Sequence, residues 1–399
     1  MGPLAGLRVI EFAGLGPAPF CAMLLADLGA EVIRFDRMAL DPTAPAAASA
    51  RGDVLGRGRR SIAIDLKEPA AIEVALRVVE RSDALVEGFR PGVMEKLGLG
   101  PEVCLARNPR LVYGRATGWG QSGPLAHCAG HDINYIALSG VLHSMRRRDE
   151  RPLPVPGFAG DFGGGGMLLA LGIVAAVLAA RESGHGQTVD AAITDGSALL
   201  AALIYGWRAV GLWRDEAGSN SGDSGAHFYD TYRCADGKYI AVGAIEPRFY
   251  ALLVERCGLS GEIDLGAQWK PEAWAAQRQK LAQVFTTRTR DQWCELLEGT
   301  DACFAPVLDL AEAPRHPHNR ARGTFVEIDG VVQPGPAPRF GRDRPDIPGP
   351  SPMPGADTDA ILAEHGWSRD EIGSLRERGV VVQAAPPGDG RPAGARSGQ

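Results

Sequence analysis

The sequence lacks a surplus of positive charge. Its 399 residues include 42 lysines and arginines against 48 aspartates and glutamates, which gives a formal net charge of -6. A protein that binds nucleic acid through the phosphates needs a basic surface. The composition therefore argues against nucleic acid as the main partner, and it leaves open local basic sites for one small polyanionic ligand.

Cysteine is scarce, and no two cysteines form a Cys-x-x-Cys pair. The seven cysteines are odd in number and scattered along the chain. This pattern predicts reduced thiols in a cytoplasmic protein, and it argues against a disulfide framework and a zinc site. The N-terminus also lacks the charged-then-apolar pattern of a signal peptide, which agrees with a cytoplasmic location.

No uninterrupted apolar run is long enough to cross a bilayer. The most apolar stretch, Met167 to Ala180, has 14 residues, whereas a transmembrane helix needs about 20. We therefore expect a buried helix in this stretch and no association with a membrane.

The first hundred residues contain an alternation of strand-like and helix-like patterns. Strands are predicted at 7–12, 31–35, 61–65 and 84–87, and helices at 20–28 and 69–80. Such alternation predicts an α/β fold, with a parallel sheet that is covered by helices. The chain is also long enough for two domains.

A smaller domain is predicted beyond a helix at 193–213 and a polar linker at 215–226. It begins with a β-hairpin, because an Asp-Gly turn joins alternating patterns at 229–234 and 239–242. The predicted organisation is a large domain (1–215), a small domain (228–310), a return segment that completes the large domain (315–383) and a disordered tail (384–399). A surface loop is predicted at 38–57.

The turn Gly14-Leu15-Gly16-Pro17-Ala18-Pro19 partly matches a dinucleotide-binding fingerprint. Asp36 lies near the distance expected of a ribose contact. The third glycine is missing, however, and prolines stand where backbone N–H groups would have to hold a pyrophosphate. We therefore interpret this segment as an ordinary βα turn.

Three residues are candidates for acid–base catalysis because of the motifs in which they lie. His131 lies in a Gly-His-Asp-Ile-Asn-Tyr run, Asp161 precedes four glycines, and Glu246 precedes a proline. Histidine and carboxylates are what an enzyme needs to move a proton at carbon without a metal. Each residue also has a structural alternative: a histidine held at a helix start, an N-cap aspartate and a first-turn glutamate.

The glycines after Asp161 have a functional interpretation as well. If a helix starts there, its free N–H groups would stabilise an oxyanion beside the carboxylate. The missing side chains would let a substrate approach the backbone closely.

Basic residues follow several predicted strands, where open parallel sheets bind their ligands. They are Arg37, Lys67 and Arg90, with Lys96 one turn further along. Taken alone, each is better interpreted as a solvated surface charge.

Taken together, these motifs resemble the α-methylacyl-CoA racemases of the family III CoA-transferase (CaiB/BaiF) superfamily. The resemblance runs from Leu4 to about Phe340. It implies a Rossmann-like large domain, a smaller α+β domain and an interlocked homodimer. It also implies that His131 and Asp161 are catalytic bases and that Glu246 orients and charges His131, without a metal or a cofactor other than the coenzyme A of the substrate.

The resemblance further implies a coenzyme A site. Its phosphates need several positive charges at spaced positions. The residues implied are Arg37, Ile64, Asp65, Leu66, Lys67, Gly88, Phe89, Arg90, Lys96, Gly130, Asp132, Ile133, Asn134 and Tyr135. Lysine at position 96 replaces an expected arginine, which keeps the charge but loses the bidentate fork.

The expected function is inversion of the α-carbon of 2-methylacyl-CoA thioesters, by two-base 1,1-proton transfer through an enolate, in fatty-acid and lipid metabolism. One alternative is a family III CoA-transferase with Asp161 as its nucleophile, which has no evident need of His131 or Glu246. Another is a noncatalytic protein that binds CoA or a dinucleotide. The acyl group stays open between a steroid side chain, a methyl-branched fatty acid and an aryl-propionyl group.

Overall fold

The computed structural model describes residues 1–38 and 51–385. They form two compact units, one of residues 1–136, 156–200 and the described residues from 323 onward, the other of residues 137–155 and 201–322. The segments 137–155 and 201–215, predicted within the large domain, group with the second unit, as do residues 315–322 of the predicted return segment. Residues 39–50 of the predicted loop and 386–399 of the predicted tail lie outside the described residues.

The strands belong to three sheets. They are β1 (Arg8–Phe12), β2 (Glu31–Asp36), β3 (Arg59–Ile64), β4 (Ala84–Glu87), β5 (Val112–Thr117), β6 (Gln187–Ala192), β7 (Tyr229–Arg233), β8 (Tyr239–Gly243), β9 (Phe304–Pro306), β10 (Phe325–Ile328), β11 (Val331–Pro334) and β12 (Val381–Val382).

The α-helices connect and cover these strands. They are α1 (Pro17–Asp27), α2 (Pro69–Val79), α3 (Val93–Lys96), α4 (Pro101–Arg107), α5 (Asp132–Leu138), α6 (Val141–Ser144), α7 (Leu168–Ser183), α8 (Ile193–Leu200), α9 (Ala202–Ala209), α10 (Pro247–Arg256), α11 (Pro271–Phe285), α12 (Arg290–Leu297), α13 (Pro317–Arg322), α14 (Thr358–Glu364) and α15 (Arg369–Glu377). A π-helical segment, Phe158–Met167, directly precedes α7. The helix predicted at 193–213 is therefore two helices, separated at Ala201.

The first unit is built on a seven-stranded sheet in the order β12-β3-β2-β1-β4-β5-β6. Neighbouring strands from β3 to β6 run parallel, and β12 pairs with β3 in the antiparallel sense. The predicted α/β class with a Rossmann-like parallel sheet is thus confirmed. The strand order reverses between β1 and β4, and open α/β sheets bind ligands at the carboxyl ends of the strands beside such a point.

Both faces of this sheet are buried because helices cover both of them. Successive side chains of a strand point to opposite faces, so Ile10 packs on one side with α2, α14 and α15. Its neighbour Val9 packs on the other side with α1 and α7. This core fixes the strand ends, and with them the loops that follow each strand.

The apolar run predicted to be too short for a membrane belongs to a longer helix. The π-helical segment and α7 together span Phe158–Ser183, 26 residues, and this is long and apolar enough to cross a membrane by length and composition. One side of it packs on the sheet, where Gly114 of β5 would bring a Cβ to 3.0 Å from Ile173 and 3.1 Å from Leu169. The expectation of a buried helix therefore holds for that side.

The second unit contains a three-stranded antiparallel sheet in the order β7-β8-β9. The predicted hairpin is confirmed, since Arg233 of β7 pairs with Tyr239 of β8 across the turn. Gly237 has a φ of 79°, a conformation that favours glycine in such a turn. Large side chains of α10, α11 and α12 pack beside this sheet, among them Tyr250, Phe285 and Trp293.

Candidate active site

A cleft of about 430 Å³ lies at the point where the strand order reverses. Its walls are the turn 14–17 after β1, the loop 88–91 after β4, the end of β5, and the segments that carry His131 and Asp161. Since these strands are parallel, their carboxyl ends meet at one edge of the sheet, which brings segments distant in sequence together.

Asp161 lies in the first turn of the π-helical segment. Its backbone N–H donates to Asp132 Oδ1 at 2.8 Å. Its carboxylate lies against Gly16, where an added Cβ would be 3.1 Å from Oδ2 and where the φ of 74° also favours glycine. Burial, reinforced by the neighbouring Asp132 carboxylate and opposed by His131, raises the pKa of Asp161 from 3.8 to about 6.

The helix does not start after Asp161, as predicted, but three residues before it, at Phe158. The N-cap is Gly157, so the interpretation of Asp161 as an N-cap residue is wrong. The predicted oxyanion site in the N–H groups after Asp161 is wrong as well, because the helix has already begun there.

The glycines that follow Asp161 serve close packing between helices. A Cβ on Gly164 would lie 2.6 Å from the Ser197 backbone nitrogen, and one on Gly166 would lie 2.6 Å from the Pro17 carbonyl oxygen. Contacts this short exclude any side chain. The glycines thus seat this segment against α1 and α8, and the expectation that they admit a substrate to the backbone is replaced by this packing role.

His131 immediately precedes α5, and its backbone is held by Asn134. The N–H of His131 donates to Asn134 Oδ1 at 3.0 Å, and the N–H of Asn134 donates back to the His131 carbonyl at 2.8 Å. This reciprocal pair resembles a capping box. The imidazole itself is exposed and lines the cleft, so the capped helix start fixes the backbone and leaves the side chain free to react.

Tyr135 packs against Gly130, the residue that precedes His131. Its hydroxyl donates to the Gly130 carbonyl, and its ring meets Trp119 edge-on with centroids 4.7 Å apart. A Cβ on Gly118 would overlap the tyrosine ring at 2.0 Å. Burial, together with the negative charge of Asp161, raises the pKa of Tyr135, which keeps the hydroxyl protonated as a donor.

Comparisons with known proteins show the family of the chain. A sequence model of CoA-transferase family III matches residues 4–358 of the chain. The chain belongs to this family. Among family III proteins, it is 45% identical to the alpha-methylacyl-CoA racemase of Mus musculus over 382 residues, which are 95% of this chain and 97% of that protein.

Two further relatives cover nearly the whole chain. The alpha-methylacyl-CoA racemase of Homo sapiens is 45% identical over 383 residues, again 95% of this chain and 97% of that protein. A crystal structure of a CaiB/BaiF family protein from Brucella suis is similar with a TM-score of 0.76 and 26% identity, covering 91% of this chain and 99% of that one.

The structure gathers only part of the site predicted for this family III chain. The predicted residues that line the cleft are Gly88, Phe89, Arg90, Gly130, His131, Tyr135 and Asp161. Asp132 and Asn134 act behind them, through the hydrogen bonds described above. Ile64, Asp65, Leu66 and Ile133 do not line the cleft.

The remaining basic residues are exposed outside the cleft. Arg37 follows β2 and Lys67 follows β3, so both lie at the same edge of the sheet as Arg90, which follows β4. Lys96 ends α3. Glu246 is the exposed N-cap residue of α10, in the second unit; its relation to His131 stays a prediction.

Several residues that line the cleft were not predicted from the sequence, among them Gly16, Pro17 and Trp119. The turn after β1 could have been found, because it leaves the sheet where the strand order reverses. Trp119 had no comparable signal, since its place depends on the packing of Tyr135. Within 1–38 and 51–385, no cluster of three or more His, Cys, Asp or Glu could hold a metal ion.

Proposed function

We propose that the protein is an α-methylacyl-CoA racemase, an isomerase that inverts the α-carbon of 2-methylacyl-CoA thioesters. The observation that carries the proposal is the meeting of His131 and Asp161 in one cleft, close enough for His131 to oppose part of the rise in the pKa of Asp161. The 45% identity to mouse and human racemases over 95% of the chain supports it.

The proposed chemistry follows from the weak acidity of a thioester α-proton. One base removes the proton, an enolate forms, and the other group returns a proton from the opposite face; the roles exchange for the reverse direction. With a pKa of about 6, Asp161 is matched to give and take protons near neutral pH.

The enolate oxygen must also be stabilised, and electrostatic stabilisation of this kind usually contributes more to such catalysis than any other effect. The amino end of the helix that begins at Phe158 contributes partial positive charge at this site.

We propose that the reaction needs no metal and no cofactor other than the coenzyme A of the substrate. All seven cysteines are free, which supports a cytoplasmic location.

The coenzyme A moiety would lie along the carboxyl edge of the sheet. Lys67, Arg37 and Arg90 follow strands β3, β2 and β4, which span three strand spacings, roughly 15 Å. Spaced charges of this kind suit a ligand whose phosphates are themselves spread out. Lys96, at the end of α3, would supply a further charge.

The Arg90→Gln substitution is expected to raise KM for acyl-CoA while kcat stays nearly unchanged. Arg90 would contact a part of the substrate that does not change on the way to the transition state. The loss should be about 1–3 kcal/mol for a charged hydrogen bond, or roughly 5- to 150-fold in KM. Steady-state kinetics at low and high salt measure this effect, which should shrink with salt because Arg90 is exposed.

Arg110→Gln is the matched control, because this exposed arginine precedes β5 and so lies at the opposite edge of the sheet. Its KM should equal that of the wild type. Unchanged KM in Arg90→Gln, with or without an effect of Arg110→Gln, would contradict the assigned coenzyme A site.

We further propose an interlocked homodimer in which Glu246 of each chain orients His131 of the other. An apolar stripe on the long helix supports a second copy: Met167, Leu171 and Leu178 recur at helical spacing and are 55%, 65% and 63% exposed. Large apolar side chains exposed in a row mark a protein interface.

Leu171→Glu is expected to weaken the dimer, because a charge would be buried in the proposed interface. Sedimentation velocity should give twice the 42.2 kDa chain mass for the wild type and a shift toward the monomer for the variant. Val103→Glu, an equally apolar-to-acidic change at the 41%-exposed Val103 of α4, is the control and should stay dimeric. A monomeric wild type at micromolar concentration would end the dimer proposal.

Incubation of the wild type with a 2-methylacyl-CoA and a free carboxylic acid in heavy water tests the proposed function. A racemase incorporates deuterium at the α-carbon and inverts it. A family III transferase would instead move CoA to the free acid through an anhydride on Asp161, which hydroxylamine traps. A noncatalytic binding protein would do neither.

A further inference from the structure

Glu87, Arg115 and Glu95 form a bridge of ion pairs. It lies next to the loop 88–92, the cleft loop, which follows β4 and lines the cleft. Glu87, the last residue of β4, has a fully buried side chain. One carboxylate oxygen accepts the N–H of Phe89 at 2.7 Å, and the other accepts Arg115 Nε at 2.8 Å. The carboxylate thus joins the start of the cleft loop to strand β5.

The bridge continues outward from β5 to helix α3. The remaining nitrogens of Arg115, Nη1 and Nη2, donate to Glu95 Oε1 at 2.7 Å and Oε2 at 3.3 Å. The Arg115 side chain is 7% exposed, whereas that of Glu95 is 44% exposed. The guanidinium therefore connects a buried carboxylate to one at the surface, with bidentate geometry at the outer end.

The strand register builds this bridge into the sheet. Glu87 and Arg115 are direct partners across the parallel pair β4 and β5, so their side chains emerge side by side. The loop between β4 and α3 has only five residues, 88–92. Glu87 holds its first end, and Glu95, in the first turn of α3, holds its second end. Both ends of the segment that carries Arg90 are therefore tied to one guanidinium.

Stability alone is a weak reason for such an arrangement. Taking charges out of water costs free energy that the attraction between them often only offsets, and apolar replacements of buried ion pairs are frequently neutral or stabilising. A hydrogen-bonded ion bridge does fix one geometry, however, whereas apolar contacts tolerate several. The benefit is greatest where a loop must hold one conformation.

We propose that Glu95 and Arg115 are positioning residues for acyl-CoA binding, because their bridge to Glu87 holds the loop 88–92 in the conformation that presents Arg90 to the substrate. This inference rests on the proposed function and extends it. Neither residue lines the cleft; both act through the loop.

Glu95 is the end of the bridge that can be tested, since its exposed side chain can change without leaving a charge in the core. In Glu95→Gln the amide cannot form the charged, bidentate pair, so the loop should relax and Arg90 should bind less well. We expect KM for acyl-CoA to rise roughly 3- to 10-fold with kcat nearly unchanged. Glu102→Gln, on the neighbouring helix α4, removes the same charge from an exposed site and should leave KM unchanged.

A double-mutant cycle separates positioning from general damage. If Glu95 acts through Arg90, the KM increase of Glu95→Gln should largely disappear in an Arg90→Gln background. Multiplicative effects on KM, a fall in kcat alone, or an unchanged KM would each overturn the inference. Circular dichroism melting of every variant shows whether the fold is retained.

Calorimetric titration with coenzyme A distinguishes this inference from the proposed function. A wild type that neither exchanges the α-proton nor binds coenzyme A removes the proposed function, and the inference with it. A wild type that does both, while Glu95→Gln binds coenzyme A as tightly, removes only the positioning role of the bridge. Weaker binding by Glu95→Gln, with Glu102→Gln unchanged, supports it.

Discussion

Replacing Asp161 with asparagine is expected to slow inversion of the α-carbon by roughly 10²–10⁴-fold, the usual contribution of a general acid or base. His131→Gln should have an effect of similar size, because each substitution removes the proton-transfer group on one face of the enolate. Asparagine keeps the size of the side chain, and the N–H of residue 161 can still donate to Asp132. Chiral analysis of the recovered acyl group measures the rate.

The same pair of variants separates the racemase from the transferase. A transferase depends on Asp161 as its nucleophile and would lose activity with Asp161→Asn alone. Full inversion by His131→Gln would contradict the assignment of His131. His143→Gln, at a histidine whose ring lies beside the Asp215 carbonyl in the second unit, is the matched control and should retain the wild-type rate.

The rate should depend on pH through Asp161. A two-base racemase is active while the pair shares one proton, with one group basic and the other protonated. When the pH falls below about 6, the raised pKa of Asp161, the Asp161 carboxylate takes up a proton. The pair then has no group left that can act as the base. We expect kcat/KM to fall about tenfold per pH unit below that point. Both enantiomers should give the same profile, because the equilibrium constant of inversion does not depend on pH.

Asp132→Asn tests whether the charge of Asp132 helps to set the pH below which kcat/KM falls, which is the acid limb of the profile. The amide oxygen can still accept the N–H of Asp161, but the charge that helps to raise the pKa of Asp161 is gone. The acid limb should therefore move to lower pH in this variant. Two results would show that Asp161 does not control the profile. In one, kcat/KM of the wild type falls only near the ordinary pKa of a carboxyl group; in the other, Asp132→Asn leaves the pH of the fall unchanged.

The fold was predictable where the information is local. Strand β4 was predicted at 84–87 and is observed at Ala84–Glu87, because a short apolar run between polar residues has few alternatives in a parallel sheet. The place of the cleft followed from the same alternation, since the loops after parallel strands share one edge.

The details of the site depend on contacts that are distant in sequence. The start of the helix before Asp161 involves the carboxylate of Asp132, 29 positions earlier in the chain. Gly164, Gly165 and Gly166 are required by α1 and α8, which pack against them. The order of residues along the chain does not reveal such contacts. For this reason the sequence predicted a helix start after Asp161 and a close approach of the substrate to the glycines, and both predictions were wrong.

The bridge behind the cleft loop illustrates the same limit. Glu87, Glu95 and Arg115 are ordinary surface residues by type, and only the pairing of β4 with β5 places two of them side by side. Charged residues are seldom fully buried unless they are paired, so their burial could not be read from their identity.

Exchange of the α-proton by the two single-base variants is the most direct test of the account. Each pure enantiomer of a 2-methylacyl-CoA is incubated in heavy water with Asp161→Asn or His131→Gln, and both label and chirality are measured. The two-base account predicts that each variant exchanges one enantiomer without inverting it, and that the two variants select opposite enantiomers. Inversion by either variant at the wild-type rate, or equal exchange of both enantiomers, would contradict it.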